Sequence, residues 1–479
     1  MFTHLTRGDP SGESRVEVSR GRSSEEVRES GPSKGPKNTK QTKERSFASS
    51  EAGAKTTMNV LNEKGLECIL SRANLNKAYQ KVKANKGAAG VDGIGVDELA
   101  EHIRKHWNGI EKKLRCGTYQ PGLLRVKTIS KAGGGERELS IPNTQDRLIQ
   151  QAICQPMSEV FEPLFSEHSY GYRRGKSAHD AVLAMRKYVA QGKRHVVAVD
   201  IHRFFDEVNH DVLMHRISEQ IHAKQVLRLI GGYLRAGKLG TDNRKIHHNG
   251  KGIPQGGPLS PLLANIYLDP LDKQLEDWGV SFARYADDLT LFAESEEQAN
   301  ELLERVSQYI RQKLNLRINA EKSGTRPPNE GNFLGYRVEK DNRLALSDKN
   351  LKEFKAEVRQ LLDSRNPYSW RYLIKRWQQY MRGWWNYNKL SEWYEMKDLS
   401  GWCRRHMRKL CWLRWHNWKG RRNAFKRLGA KPYHMRLAHS GKGAWRTSRS
   451  PALQTILHND RLLKWGFITP DTLAEAATR

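Results

Sequence analysis

The sequence predicts a mixed α/β domain followed by a separate all-α domain. Between Tyr119 and about Tyr336, short apolar runs alternate with stretches of helical periodicity, as the strands and helices of one sheet-based domain do. From Asn350 onward the strand signals stop, and tryptophans recur at helical spacing. Residues 1–57 show neither pattern.

That first stretch is rich in Ser, Gly, Arg, Lys and Glu and nearly free of aromatic residues, so it buries too little apolar surface to offset the entropy of ordering. It is expected to be a disordered polar tail, with Met58 as an alternative start. From Val60 to Val82 the residues Leu66, Ile69, Leu70, Ala73, Leu75, Ala78 and Tyr79 keep helical spacing, which ends at Gly87. Ile129 to Arg137 reads as two strands joined by a turn at Gly133-Gly134-Gly135, with Lys131 and Arg137 flanking it. Val196-Val197-Ala198-Val199 fits a buried strand that ends on Asp200. Ser260-Pro261 suits a helix N-cap followed by proline at the first helical position. Phe282 to Phe292 reads as two strands with a tight turn at Ala286-Asp287, and Leu302, Leu303, Val306, Ile310 and Leu314 mark a helix packed on the sheet.

In the all-α part, Trp370, Leu373, Ile374, Trp377, Tyr380, Met381 and Trp384 form one stripe, with Arg371, Lys375, Arg376 and Arg382 off it. Met407, Leu410, Cys411, Trp415 and Trp418 form a second. Most of these tryptophans are core by position. Trp385, off the stripe, is a candidate for stacking on bases.

The chain carries 83 Lys+Arg against 53 Asp+Glu, a net charge of +30. From Asn350 to Arg479 the count is 28 against 9, so 19 of the 30 excess charges lie in the last 130 residues. A surplus this large attracts polyanions through counterion release. The five cysteines are scattered with no Cys-x-x-Cys pair, which argues against a disulfide framework or zinc site and for a reducing, cytoplasmic setting. No apolar run reaches the roughly 18 residues that a membrane span needs.

Asp200, Asp287 and Asp288 carry the chemistry. A carboxylate at a strand end beside a two-aspartate hairpin turn gathers hard oxygen donors at one sheet edge, a set suited to Mg²⁺. Two such ions lower the pKa of a primer 3′-hydroxyl and stabilise leaving pyrophosphate. A lone Asp-Asp pair is ordinarily just a turn; here each acid follows an apolar strand, 87 residues apart, in a strongly basic chain.

Seven blocks then fall in order: Gly90-Val91-Asp92-Gly93; Pro142 with Asp146-Arg147-Leu148-Ile149-Gln150-Gln151; Asp200-Ile201-His202-Arg203-Phe204-Phe205-Asp206; the run from Gly252 to Asn265 around Pro254-Gln255-Gly256; Tyr285-Ala286-Asp287-Asp288; Asn319-Ala320-Glu321-Lys322-Ser323; and Phe333-Leu334-Gly335-Tyr336. Over residues 60 to 470 the chain resembles the bacterial group II intron-encoded reverse transcriptase/maturase family. The helical segment Arg376-Trp377-Gln378-Gln379-Tyr380-Met381-Arg382-Gly383-Trp384-Trp385-Asn386-Tyr387 resembles its maturase region.

The resemblance implies a right-hand polymerase: fingers and palm at 58–345, with a ferredoxin-like split βαβ core, then a helical thumb/maturase domain at 346–428. A short basic segment at 429–479, a candidate DNA-binding segment, follows. It implies an RNA-directed DNA polymerase that binds its group II intron RNA to promote splicing and mobility, with dNTPs, an RNA template and a DNA target or primer as partners. Asp200, Asp287, Asp288 and the Ile201 carbonyl match the metal ligands for two Mg²⁺ ions, with Mn²⁺ as a substitute. Lys131 and Arg137 match cations that clasp the triphosphate, Phe205 a steric gate against the 2′-hydroxyl, and Gln255 a residue beside the incoming nucleotide and template. The basic face of the helices, with Arg376, Arg382, Arg404, Arg405, Arg408 and Lys409, is expected to meet RNA phosphates. His416-Asn417 and His458-Asn459 sit too near the end for a His-Asn-His nuclease, so the resemblance is to the endonuclease-less, class C-like subgroup. The alternatives are a non-enzymatic splicing factor, against which the intact acids speak, and a retron or diversity-generating reverse transcriptase, against which the tryptophan-rich region speaks.

Overall fold

A computed structural model describes residues 55–478, apart from 131–135, 241, 243, 247 and 248. Helix is already present at residue 55, inside the stretch expected to be a tail; residues 1–54 lie outside the described residues. The helical stretch from Val60 to Val82 is real but broken. Gly65 turns the chain with φ 49°, and the Ser71 hydroxyl accepts the Asn74 N–H to cap α1 (Arg72–Ala84). Apolar spacing runs through both breaks, so periodicity alone does not reveal them.

Strands β1 (Leu124–Ser130) and β2 (Glu136–Ile141) pair antiparallel, with Ser130 opposite Glu136. The expected glycine turn between them, and Lys131 with it, lies outside the described residues. Helix α2 (Thr144–Phe161) follows and is buried along most of its length. Helix α3 (Ala178–Ala190) opens on a capping box of Ser177 and Asp180. It leads into β3 (His195–Asp200). The short strands β4 (Lys238–Leu239) and β5 (Lys245–Ile246) extend the first sheet in the order β2-β1-β4-β5.

Helix α4 (Ser260–Asp277) precedes the hairpin of β6 (Ser281–Tyr285) and β7 (Asp288–Ala293). Ser260 is its first helical residue rather than its cap, which moves Pro261 to the second helical position instead of the first; the Ser260 hydroxyl donates to the Pro254 carbonyl at 2.6 Å. Helix α5 (Glu296–Lys313) then returns the chain to β8 (Gly324–Arg326). The sheet order β6-β7-β3-β8, all antiparallel with helical crossovers, is the split βαβ arrangement expected for a palm. Both its faces are covered. Val197, Val199, Leu289 and Leu291 enter one apolar core, while Val196, Ala283 and Phe292 face a second core with Ala181, Val182 and Met185 of α3. A sheet buried on both sides needs continuous apolar strands, which is how β3 and β7 read.

The hairpin β9 (Tyr336–Val338) and β10 (Leu344–Leu346) leads into α6 (Asp348–Leu361), α7 (Trp370–Asn388) and α8 (Trp393–Arg414). Leu373, Trp377 and Met381 are buried as their stripe predicts, whereas Trp370 is 36% exposed. Trp385 is partly buried against the same core. The second stripe does not run through: α8 stops at Arg414, His416 is left-handed (φ 54°), and Asn417 caps a new helix, Trp418–Arg427. Trp418 is therefore exposed and stacks on His439. Residues 429–478 fold back on the helices. The Trp377 indole N–H donates to the Ile468 carbonyl at 2.7 Å, and α9 (Pro470–Ala477) packs against α8. Among the described residues, no helix is long and apolar enough to cross a membrane.

Candidate active site

The β3–β7 register sets Asp200 directly opposite Asp288, and Tyr285 faces Asp288 across the hairpin. Asp287 occupies the two-residue turn between them, whose first residue, Ala286, has φ 58°. Strand pairing and turn thus bring all three acids to one sheet edge. Burial by the surrounding protein, then the charges of Asp287 and Asp200, push the Asp288 carboxyl up to about 6, although its side chain stays open to solvent. Burial and the Asp200 charge also raise Asp287, with Arg137 and Arg284 opposing the rise.

The loop after α5 supports Asp200. Asn319 N–H donates to its carbonyl at 2.7 Å, the Ser323 hydroxyl accepts its N–H at 3.0 Å, and Lys322 Nζ lies 3.2 Å from its Oδ2. Ile201 bridges to Ile318 through bonds of the Asp200 carbonyl and the His202 N–H, neither of which uses the Ile201 carbonyl. Among the described residues, no three His, Cys, Asp or Glu side chains are drawn together tightly enough to form a coordination shell as they stand. The donor chemistry nevertheless fits a divalent cation: hard oxygens that raise one another's pKa gain most from positive charge. Because Asp288 is ionised above about 6 and protonated below it, cation affinity should weaken as pH falls through that value. Calorimetric titration at pH 7.5 and 5.5 checks this; equal affinities would remove Asp288 from the site.

A single turn, Phe204–Glu207, follows β3 through left-handed Arg203 (φ 44°). The Phe205 ring is 7% exposed and packs edge-on to Phe204, so it serves the core as well as the rim. Its carbonyl accepts the Ile253 N–H at 2.6 Å, tying down the Pro254-Gln255-Gly256 loop. On the other side, Ser140 N–H donates to the Gln255 carbonyl at 2.8 Å, and a β-carbon at Gly256 (φ 134°) would lie 2.8 Å from the Ser140 oxygen. Arg137 Nε donates to Gln255 Oε1 at 2.6 Å across 118 residues of sequence. Arg137, Gln255 and the Phe205 segment are thereby brought together.

Two further residues at this edge escaped the sequence reading. Tyr172, left-handed (φ 60°) and exposed, has its hydroxyl pKa raised by burial and by nearby Asp287. Arg284 is buried beneath the turn and paired with Asp272. A lone arginine in the apolar run Phe282-Ala283-Arg284-Tyr285 was the available signal, since a buried guanidinium demands a carboxylate partner.

The basic residues of the helices divide. Arg382 is exposed, Arg376 is half-buried over the Tyr368 and Tyr372 rings, Arg405 lies 3.5 Å over the Trp445 ring, and Lys409 is half-buried. Arg404 and Arg408 are not free to meet RNA, contrary to expectation. Arg404 pairs with Asp471 at 2.6 Å, and Arg408 donates to the Leu457 carbonyl and to Asn459. Arg404→Ala should therefore cost about 3 kcal/mol of stability by stranding a nearly buried carboxylate, with RNA affinity little changed. Chemical denaturation beside filter binding separates the two effects.

Residues 129–338 match the family model described as reverse transcriptase (RNA-dependent DNA polymerase), and residues 351–429 match the group II intron maturase-specific domain. The Group II intron-encoded protein LtrA of Lactococcus lactis subsp. cremoris is 36% identical over 208 residues, covering 43% of this chain and 34% of LtrA. Protein YkfC of Escherichia coli is 29% identical over 305 residues, covering 55% of this chain and 80% of YkfC. The Putative COX1/OXI3 intron 2 protein of Saccharomyces cerevisiae is 31% identical over 42% of this chain and 23% of that protein. The match thus spans about a third of LtrA's length. On these grounds the chain joins a reverse transcriptase domain to a group II intron maturase-specific domain and is homologous to group II intron-encoded proteins.

Proposed function

We propose that this chain is an RNA-directed DNA polymerase that also binds a group II intron RNA, promoting its splicing and mobility. The observation that carries this is the register setting Asp200 opposite Asp288, one residue beyond Asp287. Asp200, Asp287 and Asp288, with the Ile201 carbonyl, would hold two Mg²⁺ ions, for which Mn²⁺ can substitute. When bound, such ions supply the charge that activates a primer 3′-hydroxyl and stabilises leaving pyrophosphate.

The chain's own groups do the rest. Lys322 gives Asp200 a local counter-charge. Arg137, with Lys131, receives the dNTP triphosphate through charge-assisted hydrogen bonds, and Gln255 borders the nucleotide and template. Phe205 lies under the sugar and leaves no room for a 2′-hydroxyl. We assign 58–345 to fingers and palm and 346–428 to the thumb/maturase region. Arg376, Arg382, Arg405 and Lys409 would meet phosphates of the folded intron. We read the chain as a bacterial member of the group II intron-encoded protein family.

The test is extension of a DNA primer on an RNA template by the purified chain with dNTPs. Mg²⁺-dependent extension is expected, and its absence would sink the proposal. Phe205→Val should raise rNTP incorporation by about tenfold, equivalent to losing roughly 1.4 kcal/mol of discrimination. An unchanged dNTP/rNTP ratio would remove the gate role.

A further inference from the structure

Strand β6 carries a guanidinium where its neighbours are apolar, and Arg284 is 0% exposed. Every one of its five N–H donors has an acceptor. Nε donates to Asp272 Oδ1 at 2.6 Å, and Nη2 to the second Asp272 oxygen and to Ser169 Oγ at 2.8 Å. Nη1 donates to Asn265 Oδ1 at 3.0 Å and to the Ala286 carbonyl at 2.9 Å. One side chain therefore joins α4, the loop before α3, its own strand and the turn that carries Asp287.

A buried ion pair is poor glue, because desolvating two charges offsets most of their attraction and an apolar pair can fill the same space. What an apolar pair cannot do is hold the Ala286 carbonyl. Ala286 sits at φ 58°, a region that residues with a β-carbon avoid, so its geometry must be imposed by its surroundings. The peptide on the other side of Ala286 is also fixed. A β-carbon at Gly171 would lie 2.2 Å from the Ala286 nitrogen, and Asn265 Nδ2 donates to the Gly171 carbonyl at 2.8 Å. Asn265 thus links both jaws of a clamp on Ala286, one on the peptide before it and one on the peptide after it.

We infer that Arg284 is a positioning residue. With Asp272, Asn265 and Gly171 it fixes left-handed Ala286, just before Asp287, and so sets where the Asp287 and Asp288 carboxylates stand. This rests on the proposed role of those two acids.

The test compares the intact chain with Arg284→Met/Asp272→Leu, which removes both charges together, and with Gly171→Ala, which pushes Ala286 from the side of its nitrogen. Arg284→Lys serves as the conservative replacement. Calorimetric Mg²⁺ affinity without nucleotide should fall about tenfold in the double variant and in Gly171→Ala, as for lost supports around metal ligands. The kcat for primer extension should fall about 100-fold, the scale of an ångström-sized misplacement, with the KM for primer-template unchanged. Arg284→Lys should recover part of both, while melting temperature and intron RNA affinity stay near those of the parent. Parental cation affinity and kcat in both disrupted variants would overturn the inference. So would a loss of synthesis that tracks melting and RNA binding, which would make the pair a holder of the fold alone. If Asp287→Ala abolishes synthesis while these variants behave as the parent, only the positioning inference fails. If Asp287→Ala is itself active, the acid assignment beneath it fails.

Discussion

Asp287→Ala should reduce RNA-templated DNA synthesis by at least about a thousandfold while leaving intron RNA affinity unchanged. The side chain lies in a two-residue turn and takes no part in the β-ladder, so its removal leaves the β6–β7 pairing intact. Its loss also relieves repulsion, since Asp287 is a main contributor after burial to the raised pKa of Asp288. The fold should therefore be as stable as the parent's or more so, as expected where function holds like charges together. Single-turnover primer extension beside filter binding reads both quantities. A rate within tenfold of the parent would contradict the assignment.

Trp377→Ala should lower stability by about 4 kcal/mol, at the upper end for buried aromatic truncation. The ring is 0% exposed, lies edge-on to Phe467, and donates its indole N–H to the Ile468 carbonyl. The change opens a cavity in α7 and strands a carbonyl on the segment that folds back over it. Urea denaturation should show the lower midpoint, and limited proteolysis should cut first near Gly466, where Gln378 holds the same loop. A loss under about 1 kcal/mol would mean that residues 429–479 do not complete the helical core.

The sequence made the palm legible because its strands are buried on both faces and must be apolar throughout, so a carboxylate at a strand end stands out. Asp200 and the Ala286-Asp287 turn were visible for that reason, and Leu373, Trp377 and Met381 were visible by helical spacing. Charges with distant partners were not. Arg404 and Arg408 look solvated in a basic segment, yet Asp471 and Asn459 arrive from the fold-back more than 50 residues later. Arg284 hid in a strand whose partner acid lies on the preceding helix. The second tryptophan stripe failed because its spacing carries on through His416 and Asn417, where a left-handed residue and a cap start a new helix. Ser260 misled in a related way: its hydroxyl serves the Pro254 carbonyl of the loop that presents Gln255, not the helix end.

Whether Asp200, Asp287 and Asp288 share divalent cations is read most directly by iron-directed cleavage, with Fe²⁺ in place of Mg²⁺ and ascorbate to drive local backbone scission. Cuts at both Asp200 and Asp287-Asp288, suppressed together by excess Mg²⁺ and absent in Asp287→Ala, are the expected result. Cuts at only one of the two strands, or a pattern that Asp287→Ala leaves unchanged, would contradict a shared site.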